Sequence, residues 1–218
     1  MMDQRYLQPA KFIDSDAPSI QAFARDSLMA GDSVLEQAVD LYYRIRDGIR
    51  YSPYIDYSDS EMYRASSVLH AGFGFCGSKA SLLAACGRAL GIPARVGYGD
   101  VKNHMNSPKL REINNGDIMR WHAFTELYLE GRWVKATPAF NLELCTRFRV
   151  KPLEFNGRED SIFHPYDADQ HRHMEYLEMR GSFADVPLDD IIATYCIYSP
   201  RLLGNNCSGD FSAEAEIV

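Results

Sequence analysis

No apolar run in this chain approaches the roughly 20 residues that a membrane-spanning helix needs, so an embedded protein of that kind is excluded and no membrane partner is expected. Basic residues are not in excess either. Lys and Arg number 23 against 30 Asp and Glu, and the formal charge of −7 argues against a nucleic-acid partner, which would require a basic face. The start, Met1-Met2-Asp3-Gln4-Arg5-Tyr6, has no charged stretch leading into an apolar one, so no secretory signal is expected and the cytoplasm is the default address. There is no C-x-x-C. The five cysteines (Cys76, Cys86, Cys145, Cys196 and Cys207) are odd in number and scattered, which weakens zinc-site and redox-motif readings. In a reducing compartment they are thiols, most of them buried as small hydrophobes. Internal repeats, low-complexity tracts and long Pro/Gly/Ser linkers are also missing. Residues 1–218 are therefore read as one domain.

What is there begins with helices. Ala17-Pro18-Ser19 opens a segment with Ile20, Phe23, Ala24 and Leu28 at helical spacing. Ser33 is placed to cap a second helix, along which Val34, Leu35, Ala38, Leu41, Tyr42 and Ile45 trace one stripe until Gly48. Further on, Gly72-Phe73-Gly74-Phe75-Cys76-Gly77 is a glycine-dense turn. It feeds an alanine-rich helix from about Ser78 to Leu90, which Gly91-Ile92-Pro93 stops. Strand-like runs follow at Ala94 to Tyr98, Met119 to Leu129 and Arg132 to Thr137, the last two joined by the turn Glu130-Gly131. The polar stretch Lys102 to Gly116 reads as a long surface loop, able to cover a cleft. Asp160 to His173 reads as a second loop, Pro187 starts a helix that ends near Pro200, and residues beyond Asn205 read as frayed. Helices followed by strands predict an α+β fold whose central helix packs on an antiparallel sheet.

Cys76 sits where chemistry is favoured. An isolated thiol titrates near ~8.5, and a helix N-terminus lowers that value because free N–H groups and the helix dipole favour negative charge. Gly74 and Gly77 leave room for a substrate carbonyl, and the N–H of Cys76 could donate to a developing oxyanion. Cys86, inside the same helix, reads as core. A nucleophilic cysteine needs an imidazole in reach and a group to orient it. Of the six histidines, His122 alone lies on a clear strand. Alternation puts it on one face with Phe124, Glu126 and Tyr128. With a two-residue turn, Leu129 opposes Arg132, and by counting back Thr137 falls on His122's face. Asn141 follows on that face if the strand runs past Pro138.

Four blocks resemble one family. Gly74-Phe75-Cys76-Gly77, the run from Ala89 to Val96, Trp121-His122-Ala123-Phe124-Thr125-Glu126-Leu127 and Trp133-Val134-Lys135-Ala136-Thr137-Pro138 look like the transglutaminase-like superfamily. The likeness spans about residues 35 to 141 and leaves 142 to 218 as a C-terminal extension. It implies a papain-like core with Cys76 as nucleophile and His122 as base. The family usually has aspartate where this chain has Thr137. A threonine hydroxyl can accept from imidazole but cannot stabilise imidazolium as a carboxylate does. Thr137 or Asn141 is the expected orienting residue. Glu126 shares the face but lies roughly 13 Å along the strand.

The function expected is hydrolysis of a peptide-like or small amide through a thioester. Transfer to an amine, as in transglutaminases or arylamine-type acyl transferases, is one alternative, and a non-catalytic binding module with a degraded triad is the other. No cofactor or metal is expected. His104, His164, His171 and His173 fit no zinc spacing, and no EF-hand pattern occurs. Tyr51, Tyr54 and Tyr57 precede the cysteine; one could donate to the oxyanion, although plain aromatic packing explains them as well.

Overall fold

The computed structural model describes residues 3–29, 33–104, 106–163, 174–204 and 209–216. Helix α1 (Pro18–Asp26) carries Pro18 in its first turn, where the missing N–H costs nothing. Helix α2 (Val34–Gly48) begins with the capping box that Ser33 announces. Ser33 Oγ accepts the Glu36 N–H at 3.3 Å, and the Glu36 carboxylate accepts the Ser33 N–H at 2.7 Å. After α2 come the short strand β1 (Arg50–Tyr51), helix α3 (Ala65–Ala71) and strand β2 (Phe73–Gly74), with β1 and β2 paired in parallel. Gly72, at φ 71°, closes α3 in the left-handed region and turns the chain into β2.

Helix α4 (Cys76–Ala89) is the centre of the molecule, with every residue from Cys76 to Arg88 buried. Alanine, serine and glycine make that possible by letting neighbours approach on all sides. It packs on strands β3 (Ala94–Asn103) and β4 (Ile118–Leu129) and against α1, α2 and α3. Strand β5 (Arg132–Ala136) follows a tight turn with Glu130 and Gly131 both at positive φ. Leu129 faces Arg132 and Thr125 faces Ala136, the register that the turn predicts. The sheet is antiparallel with order β5-β4-β3-β6, and β6 (Met174–Phe183) comes from the C-terminal extension. Helix α6 (Leu142–Arg147) precedes it and α7 (Leu188–Tyr198) follows it. One apolar cluster runs from Phe12 to Phe211 and so joins the expected core to its extension. The fold is α+β, with the cysteine-bearing helix on an antiparallel sheet.

Three expectations change. The stretch from Lys102 to Gly116 is not a plain loop: β3 continues to Asn103, and helix α5 (Pro108–Asn114) is capped by Ser107, whose Oγ accepts the Leu110 N–H at 3.2 Å. Strand β6 has no counterpart in the sequence reading, because a half-exposed edge strand with two register shifts loses its alternation. Residues 209–216 are docked rather than frayed. Phe211 stacks on Phe148 with centroids 4.9 Å apart, and the buried Glu214 accepts from Tyr54 and Ser107. Among the described residues, no helix is long and apolar enough to cross a membrane.

Lys79 ties these layers together. Fully buried in α4, its Nζ donates to the carbonyls of Arg46 (2.9 Å) and Ile49 (2.7 Å) at the end of α2, and to Ala139 (2.8 Å) beyond β5. Burial pushes the ammonium down to about 7, while three acceptors for three donors, at the negative end of a helix, favour keeping it charged. Lys79→Met fills the same space and orphans three buried carbonyls. We predict a loss of about 3 kcal/mol, read as a lower urea midpoint with an unchanged slope.

Candidate active site around Cys76 and His122

Cys76 is the first residue of α4, two positions before Ser78, where the sequence suggests the helix begins, and it is 5% exposed. Two opposing influences act on its thiol. Burial pushes it up to about 11, and the backbone N–H groups of Ala123, Gly77 and Cys76, which face the sulfur, pull the other way. Ala123 belongs to β4, so the strand and the helix start meet at the sulfur. Six tyrosines (Tyr51, Tyr57, Tyr63, Tyr98, Tyr176 and Tyr195) lie within electrostatic reach of it, in a shell that is aromatic and poor in charge. Of the three upstream tyrosines, Tyr57 spends its hydroxyl on Pro53 O (3.1 Å) and Tyr54 on Glu214. Tyr51 is the remaining one near the thiol.

The strand that delivers His122 departs from extended geometry one residue earlier. Trp121 has φ 56°, a conformation costing about 1–3 kcal/mol in a residue with a Cβ. It is held there from several sides. The Asp100 carboxylate accepts the Trp121 N–H at 3.1 Å and is itself bound by Arg180 at 2.5 and 2.7 Å. The indole N–H donates to Thr194 Oγ1 at 2.9 Å, and the Arg180 guanidinium lies 4.8 Å from the ring centroid. The register shift of β3 between Gly99 and Val101 falls opposite this point and aims Asp100 at it. These contacts, invisible to strand alternation, set the direction of His122.

His122 is 3% exposed, and neither ring nitrogen has a hydrogen-bond partner among the described residues. Burial pushes its pKa down to about 4, so the imidazole is neutral at pH 7. Its ring packs against Phe163 (centroids 5.4 Å apart) and Tyr176 (6.0 Å). Cys76 and His122 line one cleft with about 380 Å³ of empty space, part of it open to solvent, walled by Tyr57, Phe75 and Tyr195.

Strand β5 ends before Thr137, whose N–H turns to Ser161 O at 2.9 Å. Thr137 is 1% exposed, with its Oγ1 unpartnered among the described residues. Beside it is the hydroxyl of Tyr176, buried, facing Thr137 without a well-formed hydrogen bond, and raised in pKa by burial. Sequence reasoning missed Tyr176 because it arrives on β6. The stretch before it, Asp160 to His173, reads as loop, and nothing in Met174-Glu175-Tyr176 alone marks a strand. Asn141 is engaged elsewhere: its Oδ1 accepts the Tyr51 N–H at 3.2 Å, at the start of α6. Glu126 pairs with Arg95 across β3 and β4. Among the described residues, no carboxylate contacts His122. Cys86 and Cys145 are buried thiols with raised pKa values, and Cys196 is exposed. His104 stands 3.6 Å from Glu175. His164, His171, His173 and Cys207 lie outside the described residues. No group of three or more His, Cys, Asp or Glu among the described residues is arranged to hold a metal ion.

The neutral, buried imidazole has a consequence for stability. An unfolded histidine binds its proton near 6.5 and the folded one near 4, so the unfolded state gains protons first as pH falls. Stability contributed by His122 is intact above pH 6.5 and is lost progressively down to pH 4. The shift corresponds to about 3 kcal/mol. We predict that His122→Phe flattens this part of the stability profile, measured by urea unfolding at pH 7 and pH 4.

Comparison with known families matches residues 21–138 to the transglutaminase-like superfamily. Among solved structures, a candidate cysteine protease from Cytophaga hutchinsonii shares 21% identity and a TM-score of 0.47, with 82% of this chain and 53% of that one covered. A candidate protease from Parabacteroides distasonis shares 16% identity and a TM-score of 0.39, covering 62% of this chain and 25% of that one. The chain thus spans about half or less of the length of these two. No curated protein matches it significantly. The family match covers more than half of the chain, including Cys76, His122 and Thr137; the chain belongs to the transglutaminase-like superfamily.

Proposed function

We propose that the protein is a cysteine-dependent hydrolase of peptide-like amides, with Cys76 as nucleophile and His122 as general base and acid. The observation that carries this reading is the shared cleft: a thiol at the start of a sheathed helix and an unpartnered imidazole line the same small space. Both groups are neutral at rest. The Cys76 proton passes to His122 as the sulfur attacks the amide carbon, and the carbonyl oxygen takes the negative charge. N–H groups at the helix start are suited to donate hydrogen bonds to that oxygen. The C–N bond then breaks, the leaving amine takes the proton from His122, and a thioester remains on Cys76. Water attacks the thioester, His122 takes its proton, and the carboxylic acid departs as the thiol is restored.

The orienting role falls in this proposal to the Thr137 hydroxyl, with Tyr176 behind it. Thr137 Oγ1, unpartnered among the described residues at rest, would accept from the imidazole as the reaction proceeds, with Tyr176 polarising it, a neutral relay where the family usually has a carboxylate. One domain built of a core and its C-terminal extension is part of the same proposal, since β6 of the extension supplies Tyr176. So is the cytoplasmic address, which suits a free thiol. The rival reading, a binding module with a degraded triad, draws on one observation: no carboxylate among the described residues contacts His122.

Iodoacetamide labelling against pH, read by mass spectrometry, separates the two. In the wild type, Cys76 is expected to label at pH 7 at least about tenfold faster than in His122→Ala, the scale of general-base assistance. In that variant labelling should climb only as pH approaches the thiol's own value near 11. Identical profiles in both proteins would sink the catalytic reading in favour of the binding module. Tyr176→Phe tests the relay. It should slow labelling at pH 7 several-fold and move the midpoint of the profile upward, while a purely structural role would lower the urea midpoint and leave the profile alone.

A further inference from the structure

The cleft that holds Cys76 and His122 is also lined by Arg120, two residues before the histidine on β4. The other arginines around it are neutralised. Arg111 pairs with Asp117 at 2.7 Å, Arg180 with Asp100 at 2.5 Å, and Arg201 with Glu112 at 2.6 Å. Arg120 has no carboxylate partner among the described residues. Its guanidinium lies 4.0 Å from the centroid of the Tyr198 ring, which fixes the plane of the fork and leaves its N–H edge for another partner. Its own carbonyl accepts the Tyr195 hydroxyl at 3.1 Å, so the backbone at this point is anchored to α7 as well. Leu110, Met119 and Leu202 are apolar walls of the same cleft; the polar Asn114 also lines it, with its amide N–H groups already donated to the Gly116 and Ile118 carbonyls. In a chain of net charge −7, a half-buried guanidinium with no carboxylate partner among the described residues, in a small and mostly apolar cleft, is a local exception. The planar fork matches a carboxylate with two parallel hydrogen bonds.

We propose that Arg120 is a specificity residue that binds a carboxylate of the substrate. The substrate class is then a short amide with an apolar side chain and a free carboxylate close to the scissile bond. This deepens the hydrolase reading and rests on it. The test uses Cys76 itself as the reporter, with two alkylating reagents that differ in charge. Iodoacetate carries a carboxylate and iodoacetamide does not; the exposed Cys196 serves as the internal reference. The ratio of iodoacetate to iodoacetamide rates is expected to be higher at Cys76 than at Cys196, and to fall as salt screens the attraction. In Arg120→Gln the ratio at Cys76 should drop about tenfold, and in Arg120→Lys clearly less. A wild-type ratio at Cys76 no higher than at Cys196, or one indifferent to Arg120→Gln, overturns the carboxylate site and leaves the hydrolase reading standing. Failure of both reagents to label Cys76 overturns the hydrolase reading and this one with it.

Discussion

Complete burial of helix α4 is the constraint from which the rest of the arrangement follows. A helix sheathed from Cys76 to Arg88 can present its first residue to a cleft only if every flank is covered, and α1, α2, α3 and the sheet are the covers. Small side chains admit those neighbours closely: at Gly87 an added Cβ would stand 3.1 Å from Leu127. The two charges inside the sheath, Lys79 and Arg88, both spend their donors on backbone carbonyls. Lys79 satisfies the end of α2 and the turn beyond β5; Arg88 satisfies Ala94, Gln8 and Ala184. Buried cations satisfied in this way fix the relative placement of chain segments far apart in sequence, because moving any one of them would orphan a charge-assisted bond. Cys76 inherits its position from that rigidity.

His122 is fixed by a different device. A regular strand would leave its imidazole where alternation puts it, but Trp121 lies in the left-handed region and the strand bends. The Asp100 carboxylate makes the bend possible by accepting the freed N–H, and Arg180 on β6 holds the carboxylate in turn. The edge strand of the C-terminal extension therefore reaches the histidine twice, through Arg180 behind the backbone and through Tyr176 beside the ring. An extension separable by sequence likeness is joined to the site by both contacts.

What the sequence made legible follows the range of the interactions. Local signals were readable: the Ser33 capping box, the Gly-rich turn into α4, the Gly91-Ile92-Pro93 stop and the Glu130-Gly131 hairpin, whose register carried Thr137 to the edge of β5. Helix α5 carried its own signal in Ser107-Pro108, hidden within a polar stretch that resembles a loop. Strand β6 could not be read, since its pairing partner lies some eighty positions away and its bulges spoil the period. The Asp100 clamp, the engagement of Asn141 by Tyr51 and the arrival of Tyr176 are tertiary events of the same kind. No spacing rule contains them.

The exchange of a carboxylate for Thr137 is coherent with the burial of the site. In a cleft walled by tyrosines and phenylalanine, an imidazolium without a carboxylate would carry a desolvation cost of several kcal/mol. Burial drives the thiol up and the imidazole down, so the resting pair keeps its proton on sulfur. Both directions favour the neutral pair over a thiolate–imidazolium pair before substrate arrives. In the proposed reaction the proton moves with the attack itself, when the new S–C bond and the N–H groups around the sulfur offset the separation of charge. The neutral hydroxyl relay proposed for Thr137 and Tyr176 would suffice for such a reaction, because its task is to hold the ring's direction and not to balance a permanent charge. The same burial raises the value of a half-buried guanidinium nearby that has no carboxylate partner among the described residues, since an ion pair is worth more where water is partly excluded.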